Sequence, residues 1–222
     1  MEITEEITEE ITEEITEAID GWVDGWAHSR GVPRPSPVGG GWFLDSSAPE
    51  ENGRIVLSAP TPERLAKVVV GQPERRLVKF PGDPEVWLPR FPSAWVPEHA
   101  GWFMTRDLEP TTPPALPDGY TCEIESTDTL VRVRISDRHN EVAARGQLGA
   151  GSTYAAPDRI VTEQGHQRLG LGTVVMAELG NRALELGVRR AVLAGTADGR
   201  ALYERLGWRV IAAMSGAYCR SD

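Results

Sequence analysis

The run Gln167-Arg168-Leu169-Gly170-Leu171-Gly172 stands between a β-branched stretch, Ile160-Val161-Thr162, and the segment Thr173 to Leu186. In that segment Val174, Val175, Leu179, Ala183 and Leu186 recur at helical spacing, and Gly187 supplies the stop. Strand, glycine-rich turn and amphipathic helix in that order constrain the chain more than any other stretch. The strand belongs in a sheet, the helix lies on it, and the turn at the helix start stays open to a ligand. Glycine lets the backbone approach that ligand closely. The unpaired amides and the positive end of the helix dipole favour an anion, and the layout suits a pyrophosphate. Arg190 to Ala194 then returns as a strand.

Three phosphate loops compete for this stretch. A Walker loop aligned as Gly165-x-x-x-x-Gly170 would put Leu171 where the lysine is required, so it fails. A dinucleotide fingerprint starting at Gly170 would put Val175 in place of its third glycine, and Gly149-Ala150-Gly151 is not followed by a helical pattern. What remains is Gln/Arg-x-x-Gly-x-Gly/Ala. With Ile160-Val161-Thr162 before it and Leu202-Tyr203-Glu204-Arg205-Leu206-Gly207-Trp208 after it, the sequence resembles the GNAT superfamily of acyl-CoA-dependent N-acyltransferases. The strong match spans about fifty residues, and a weaker one covers Asp118 to Asp222.

That resemblance implies a mixed α/β (α+β) fold, a mostly antiparallel sheet flanked by helices, and acetyl-CoA as acyl donor. It implies that a fourth strand splays from the fifth, so that backbone at Ile160, Val161 and Thr162 pairs with the pantetheine amides like an added strand. Gln167, Arg168, Leu169, Gly170, Leu171, Gly172 and Thr173 would take the pyrophosphate, and Tyr203 would be the acid that serves the leaving thiolate. A base is also required, because the amine arrives protonated. Asp158, two residues before Ile160 and on the same side of the strand, is the first candidate, and Glu163 the second. Where the family often has Asn, seven residues before its Tyr, this chain has Thr196, a shorter group for the same cofactor contact. Lone His166 reads as loop surface, and Cys122 and Cys219 as two reduced thiols without a metal-ligand spacing, so no metal is expected.

The net charge of −10 is informative only once it is divided along the chain. Residues 1–20 carry eight Glu, one Asp and no base, leaving the remainder near neutral. A nucleic-acid surface would need clustered excess base and is excluded. No apolar run approaches the ~20 residues of a membrane span, and the start lacks a basic n-region, so a cytoplasmic protein is expected. In residues 1–20, Ile3, Ile7, Ile11, Ile15 and Ile19 recur every four positions, drifting about 40° per step around a helix. This predicts a solvated acidic helix extending into Ala18 to Ala27 and a poor coiled coil, with docking on a basic partner as the functional alternative.

Residues 21–107 hold six of the seven Trp and many Pro and Gly breaks, predicting a smaller Trp-rich mixed α/β domain. Its candidate strands are Arg54 to Leu57, Lys67 to Val70, Arg76 to Phe80 and Trp102 to Thr105, with ordered loops over Phe80 to Pro97. Residues 108–119, with four prolines between Glu109 and Gly119, read as a linker, and residues 120–222 as the acetyltransferase domain. Within it, Tyr120 to Glu125, Leu130 to Ser136 and Glu141 to Gly146 form a meander, followed by a strand from Asp158 to Thr162. Only Ser126-Thr127-Asp128-Thr129 separates the first two of these strands, whereas the family places two helices there to build much of the acceptor site. We therefore expect Gly21 to Asp107 to supply that wall, as a degenerate GNAT-like half whose first helix runs through Trp22 to Ser29. Chain lacking residues 1–110 should then still fold. The expected activity is acetyl transfer to a primary amine of a small-molecule or peptide acceptor, with a protein partner or homodimer allowed. The alternative is a catalytically silent acyl-CoA binder or interaction scaffold.

Overall fold

The computed structural model describes residues 2–46, 51–99 and 101–220, with side chains of the first helix from residue 13 onward. Helix α1 (Glu2–Arg30) leads into the hairpin β1 (Ser36–Val38) and β2 (Gly41–Leu44), followed by β3 (Arg54–Leu57), α2 (Pro62–Val68) and β4 (Leu77–Pro81). Short helix α3 (Pro84–Trp87), a 3₁₀ turn (Leu88–Arg90), β5 (Trp95–Pro97) and β6 (Gly101–Asp107) come next. After the proline-rich connection come β7 (Thr121–Ser126), β8 (Leu130–Ser136), β9 (Val142–Ala150) and β10 (Tyr154–Thr162). A 3₁₀ turn (Gln164–His166), α4 (Leu171–Glu185), β11 (Arg190–Thr196), α5 (Ala197–Arg205) and β12 (Arg209–Cys219) complete the described chain.

All twelve strands belong to one sheet, ordered β1-β2-β3-β4-β12-β6-β11-β10-β9-β8-β7, with β5 also paired to β12. Two pairs are parallel, β3 with β4 and β10 with β11, and each is bridged by a helix, as parallel connection requires. The segments exchange strands. Strand β6, from before the proline-rich connection, lies between β11 and β12, while the end of β12 lies between β4 and β5. The sheet is mixed and mostly antiparallel, flanked by helices, as the motif order implies.

Helix α4 covers one face through Val174, Val175 and Leu179, and α1 crosses the other. Ala18, Ile19, Trp22, Val23 and Trp26 of α1 are buried against Phe103, Tyr154, Ala156 and Val192. Ile15 packs at the edge of that cluster, and Glu14 and Glu17 pair with Arg209 and Arg190. The end of the acidic repeat is therefore docked core rather than the solvated helix expected from its charge. Burial of Ile19, with Ile15 at the edge and Trp22 and Trp26 beyond, outweighs the loose period. Close approach is possible because glycines face each other. A Cβ on Gly25 would lie 2.8 Å from the Ala156 Cβ, and one on Gly149 only 1.8 Å from the Gly25 carbonyl oxygen. Gly149→Val should thus lift α1 off β9 and cost about 3 kcal/mol, at the upper end of overpacking penalties. Urea unfolding would measure it, and an unchanged midpoint would show that α1 does not sit there.

Two stretches correct the sequence expectation. Lys67 to Val70 is not a strand, because Thr61 caps Arg64 N and Pro62 opens a helix, so that Leu65 and Val68 are buried on helical spacing. Phe80 to Pro97 is more regular than a loop, since Asp83 caps α3 and Trp95–Pro97 joins the sheet. Four tryptophans (Trp22, Trp26, Trp95 and Trp208) are buried, and Trp42, Trp87 and Trp102 are partly so. Cys122 and Cys219 are free thiols. No helix among the described residues is long and apolar enough to cross a membrane.

Candidate active site

Strands β10 and β11 touch only at their start, where Tyr154 pairs with Arg190 and Ala155 with Ala191. Beyond that β11 turns to β6, with which it pairs from Arg190 to Thr196, and β10 leans toward β9. The pairing of β10 with β9 slips between Asp158 and Val161, and Arg159 there has a left-handed backbone (φ 53°). A bulge of this kind bends its strand away from the neighbour, and this one opens the sheet into a wedge. The parallel pair β3 and β4 shows the contrast. It stays paired at three consecutive positions, Arg54 to Val56, and does not open.

The wedge continues as an open groove of about 840 Å³. Ile160, Val161 and Thr162 line it from β10, Gln167, Arg168 and Gly170 from the turn, and Leu171, Gly172 and Thr173 from the start of α4. Thr196 and Tyr203 close the other side. Ten of the residues assigned to the cofactor in the sequence are thus gathered in one place. Leu169, the exception, points to solvent and is 45% exposed. Gly170 caps α4 in a left-handed conformation (φ 80°), and Arg168 before it is also left-handed (φ 66°). No atom would lie within 4 Å of a Cβ on Gly165 or Gly170, so the space above the turn is free. Among the described residues the amides of Arg168, Leu169 and Gly170 donate to no backbone carbonyl. An anion held by successive amides at a helix start fits this cradle. Gln167 does not face it alone, since its Nε2 donates to the Thr162 carbonyl at 3.4 Å and ties the turn to β10. Thr196 uses its hydroxyl to cap α5, accepting from Gly199 N at 3.2 Å.

Tyr203 comes from α5 and packs against Gly195, Gly199 and Trp208. It is 8% exposed, and its hydroxyl has no hydrogen-bond partner among the described residues. A buried phenol satisfied by backbone would be a core residue; this one lines the groove with its donor free. Burial, and after it the charge of Asp158, push its pKa up to about 12.

Asp158 does not stand free. Its Oδ1 accepts from Arg30 Nη2 at 3.0 Å, its Oδ2 from Ser29 Oγ at 3.0 Å, and Arg30 Nε also donates to Oδ2. Gln147 Nε2 donates to the Ser29 carbonyl at 2.7 Å, fixing the end of α1 over β9. Arg30 in turn lies 5.0 Å from the centre of the Trp26 ring, whose other contact is Arg54 at 4.3 Å. Arg54 is held by both Glu51 oxygens, at 2.7 and 2.6 Å. Both Asp158 oxygens are thus engaged by side chains from the end of α1, which fixes the orientation of the carboxylate. Glu163 is likewise occupied, by Arg145 at 2.6 Å. His166 has a specific neighbour in the Tyr120 hydroxyl, 2.8 Å from Nδ1. Ser29, Arg30 and Trp26 escaped the sequence reading, because a pair 128 positions apart leaves no local pattern. Among the described residues no three metal-ligating side chains are gathered.

Residues 95–208, just over half of the chain, match the model of the GNAT acetyltransferase family, and the chain belongs to that family. A GCN5-related N-acetyltransferase from Kribbella flavida is similar in structure at a TM-score of 0.67 and 16% identity, covering 94% of this chain and 96% of its own. A GCN5-related N-acetyltransferase-like protein from Streptococcus suis 89/1591 gives 0.55 at 14% identity, over 83% and 85%. A tandem GNAT protein from the clavulanic acid biosynthesis pathway gives 0.52 at 14% identity, over 82% and 80%. These likenesses are of fold. No curated protein matches the chain in sequence.

Proposed function

We propose that this N-acetyltransferase moves the acetyl group of acetyl-CoA to a primary amine by direct attack within a ternary complex. The observation that carries the reading is the wedge between β10 and β11, which leads from the amide cradle at the start of α4 to the free phenol of Tyr203. On this reading Arg168 to Thr173 hold the pyrophosphate, and the edge of Ile160 to Thr162 that faces away from β9 aligns the pantetheine as an extra strand. The amine nitrogen forms a bond to the thioester carbon, the carbon–sulfur bond breaks, and the amine proton leaves to solvent.

The role of Tyr203 follows from magnitudes. A free thiol has a pKa of about 8.5, against about 12 for this phenol, so complete proton transfer to the thiolate runs uphill. Tyr203 therefore acts as a donor that stabilises the developing sulfur anion, and solvent completes the proton balance. Its raised pKa also fixes a sign. The protonated form is favoured by folding, so that stabilisation is present below pH 10 and is lost only as pH rises through about 12. Turnover should accordingly climb with pH as the amine loses its proton, and show no descending limb from Tyr203 below about pH 11. Thiol release recorded from pH 6 to 10.5 checks this. A descending limb near pH 8 to 9 that vanishes in Tyr203→Phe would contradict it.

The segment before residue 108 supplies the acceptor side of the site through Ser29, Arg30 and Trp26. Its β3-α2-β4 unit, followed by an exchanged strand, repeats the order of β10-α4-β11, which supports reading it as a degenerate half of the same family. That half has no glycine between Ser58 and Pro62, so it lacks the glycine turn that precedes α4.

A further inference from the structure

Only three residues, Thr127 to Thr129, join β7 to β8, so no local helix covers the outer part of the sheet on the α1 side. Helix α1 ends at Arg30, beside β9 and β10, and the face beyond it carries exposed Arg132, Arg134 and Arg145. The register explains their gathering. Arg134 lies directly opposite Arg145, and Arg132 opposite Gln147, on one face of the β8–β9 pair. Like charges directly opposed across two strands repel and are ordinarily avoided. The bulge on β10 adds a fourth guanidinium to the same depression, that of Arg159, in a left-handed conformation that L-residues rarely adopt. The depression measures about 330 Å³.

Glu123 and Glu125 line the depression beside the four arginines, and the charges there are unevenly answered. Arg145 is paired with Glu163 at 2.6 Å, and Arg132 reaches Glu125 only at 3.9 Å. Arg134 donates to the Asn140 carbonyl at 3.4 Å and has no ion pair with Glu123, its register partner on β7. Neither Arg134 nor Arg159 has a carboxylate partner among the described residues. Arg159 also sits between Asp158, whose charge is felt at Tyr203, and Ile160, which lines the groove. Consecutive residues of β10, Arg159 and Ile160, thus line the depression and the groove. Adjacent strands are about 4.8 Å apart, so from β10 to Arg134 on β8 the span is on the order of 10 Å, the length of a small metabolite.

We propose that the acceptor amine carries an anionic group, a carboxylate or a phosphate, which docks against Arg159 and Arg134 while its nitrogen faces the wedge. This rests on the transferase reading of the groove. Guanidinium forks suit both oxyanions, and an anion placed there relieves the repulsion between the opposed arginines.

The test uses intact protein with saturating acetyl-CoA and matched acceptors. ω-Amino acids of three to six carbons are compared with their carboxamides, and aminoalkyl phosphates with the corresponding amino alcohols. Wild type should prefer the charged member of at least one series by tenfold or more in kcat/KM, and the preferred series identifies the oxyanion. That ratio should fall severalfold in Arg159→Gln and in Arg134→Gln, and Arg159→Lys should restore part of it, each variant being confirmed folded by its thermal transition. A wild-type ratio near or below one in both series would overturn the proposal, as would a ratio unmoved in both variants. Transfer to no amine at all would overturn the transferase reading and this proposal with it.

Discussion

Tyr203→Phe is expected to lower kcat by about 10²- to 10³-fold, the range seen when one preorganised donor to a developing anion is removed. The affinity for acetyl-CoA should stay within about twofold, because the cradle proposed for its phosphates lies on the turn and on α4. Stability should hardly move. The hydroxyl makes no hydrogen bond inside the protein, and the ring contacts with Trp208 and the glycines of β11 and α5 survive in phenylalanine. This combination separates the two readings of the chain. A silent acyl-CoA binder has no turnover to lose, and a purely structural tyrosine would change stability rather than rate. Single-turnover release of free thiol, with acetyl-CoA affinity measured beside it, gives both numbers.

Deletion of residues 1–110 should abolish folding, contrary to the expectation from the proline-rich linker. The deletion removes β6, which pairs with seven consecutive residues of β11 on one side and with β12 on the other. It also strips Ala18, Ile19, Trp22, Val23 and Trp26 from one face of the sheet, exposing Tyr154, Ala156 and Val192. Burial of the larger of these side chains contributes about 1.5 to 3 kcal/mol each, so their joint loss is comparable to the whole stability of an ordinary domain even before β6 is counted. The fragment from 111 onward should show no cooperative thermal transition and little dispersion of its amide resonances. A folded fragment that still binds acetyl-CoA would mean that the exchanged strand is dispensable.

What could be read from the sequence was what is local. The turn Gln167 to Gly172, the helix after it and the tyrosine on α5 lie within fifty residues, the helix read from its own spacing and the turn and the tyrosine from their resemblance to the family's motifs. The structure places all but Leu169 of the cofactor candidates along one groove. The exchange of β6 and the end of β12 was not legible, because a strand's alternation shows that it pairs but not with which partner. Val68-Val69-Val70 looked like a strand on composition, yet the Thr61-Pro62 start committed the segment to a helix. Asp158 was singled out as sharing a side with Ile160, but the slip of β10 turns Ile160 to the α4 face and leaves Asp158 on Arg30 and Ser29. That engagement depends on where α1 ends, a matter decided by Gly21, Gly25 and Gly149 allowing that helix close to the sheet. The docking of α1 also shows why overall charge misleads here. Two of its acidic residues are held locally, Glu14 by Arg209 and Glu17 by Arg190.

Calorimetric titration of acetyl-CoA into the intact protein tests the central claim, that the wedge and its glycine turn form the acyl-donor site. Saturable binding at one site per chain, weakened by at least about 100-fold in the folded Gly170→Asp, Gly172→Asp double variant, is the predicted result. The added carboxylates would stand where the phosphates are held, and a Cβ on Gly172 already meets Leu202 at 3.2 Å. No binding by the folded wild-type protein, or equal binding by the variant, would contradict it.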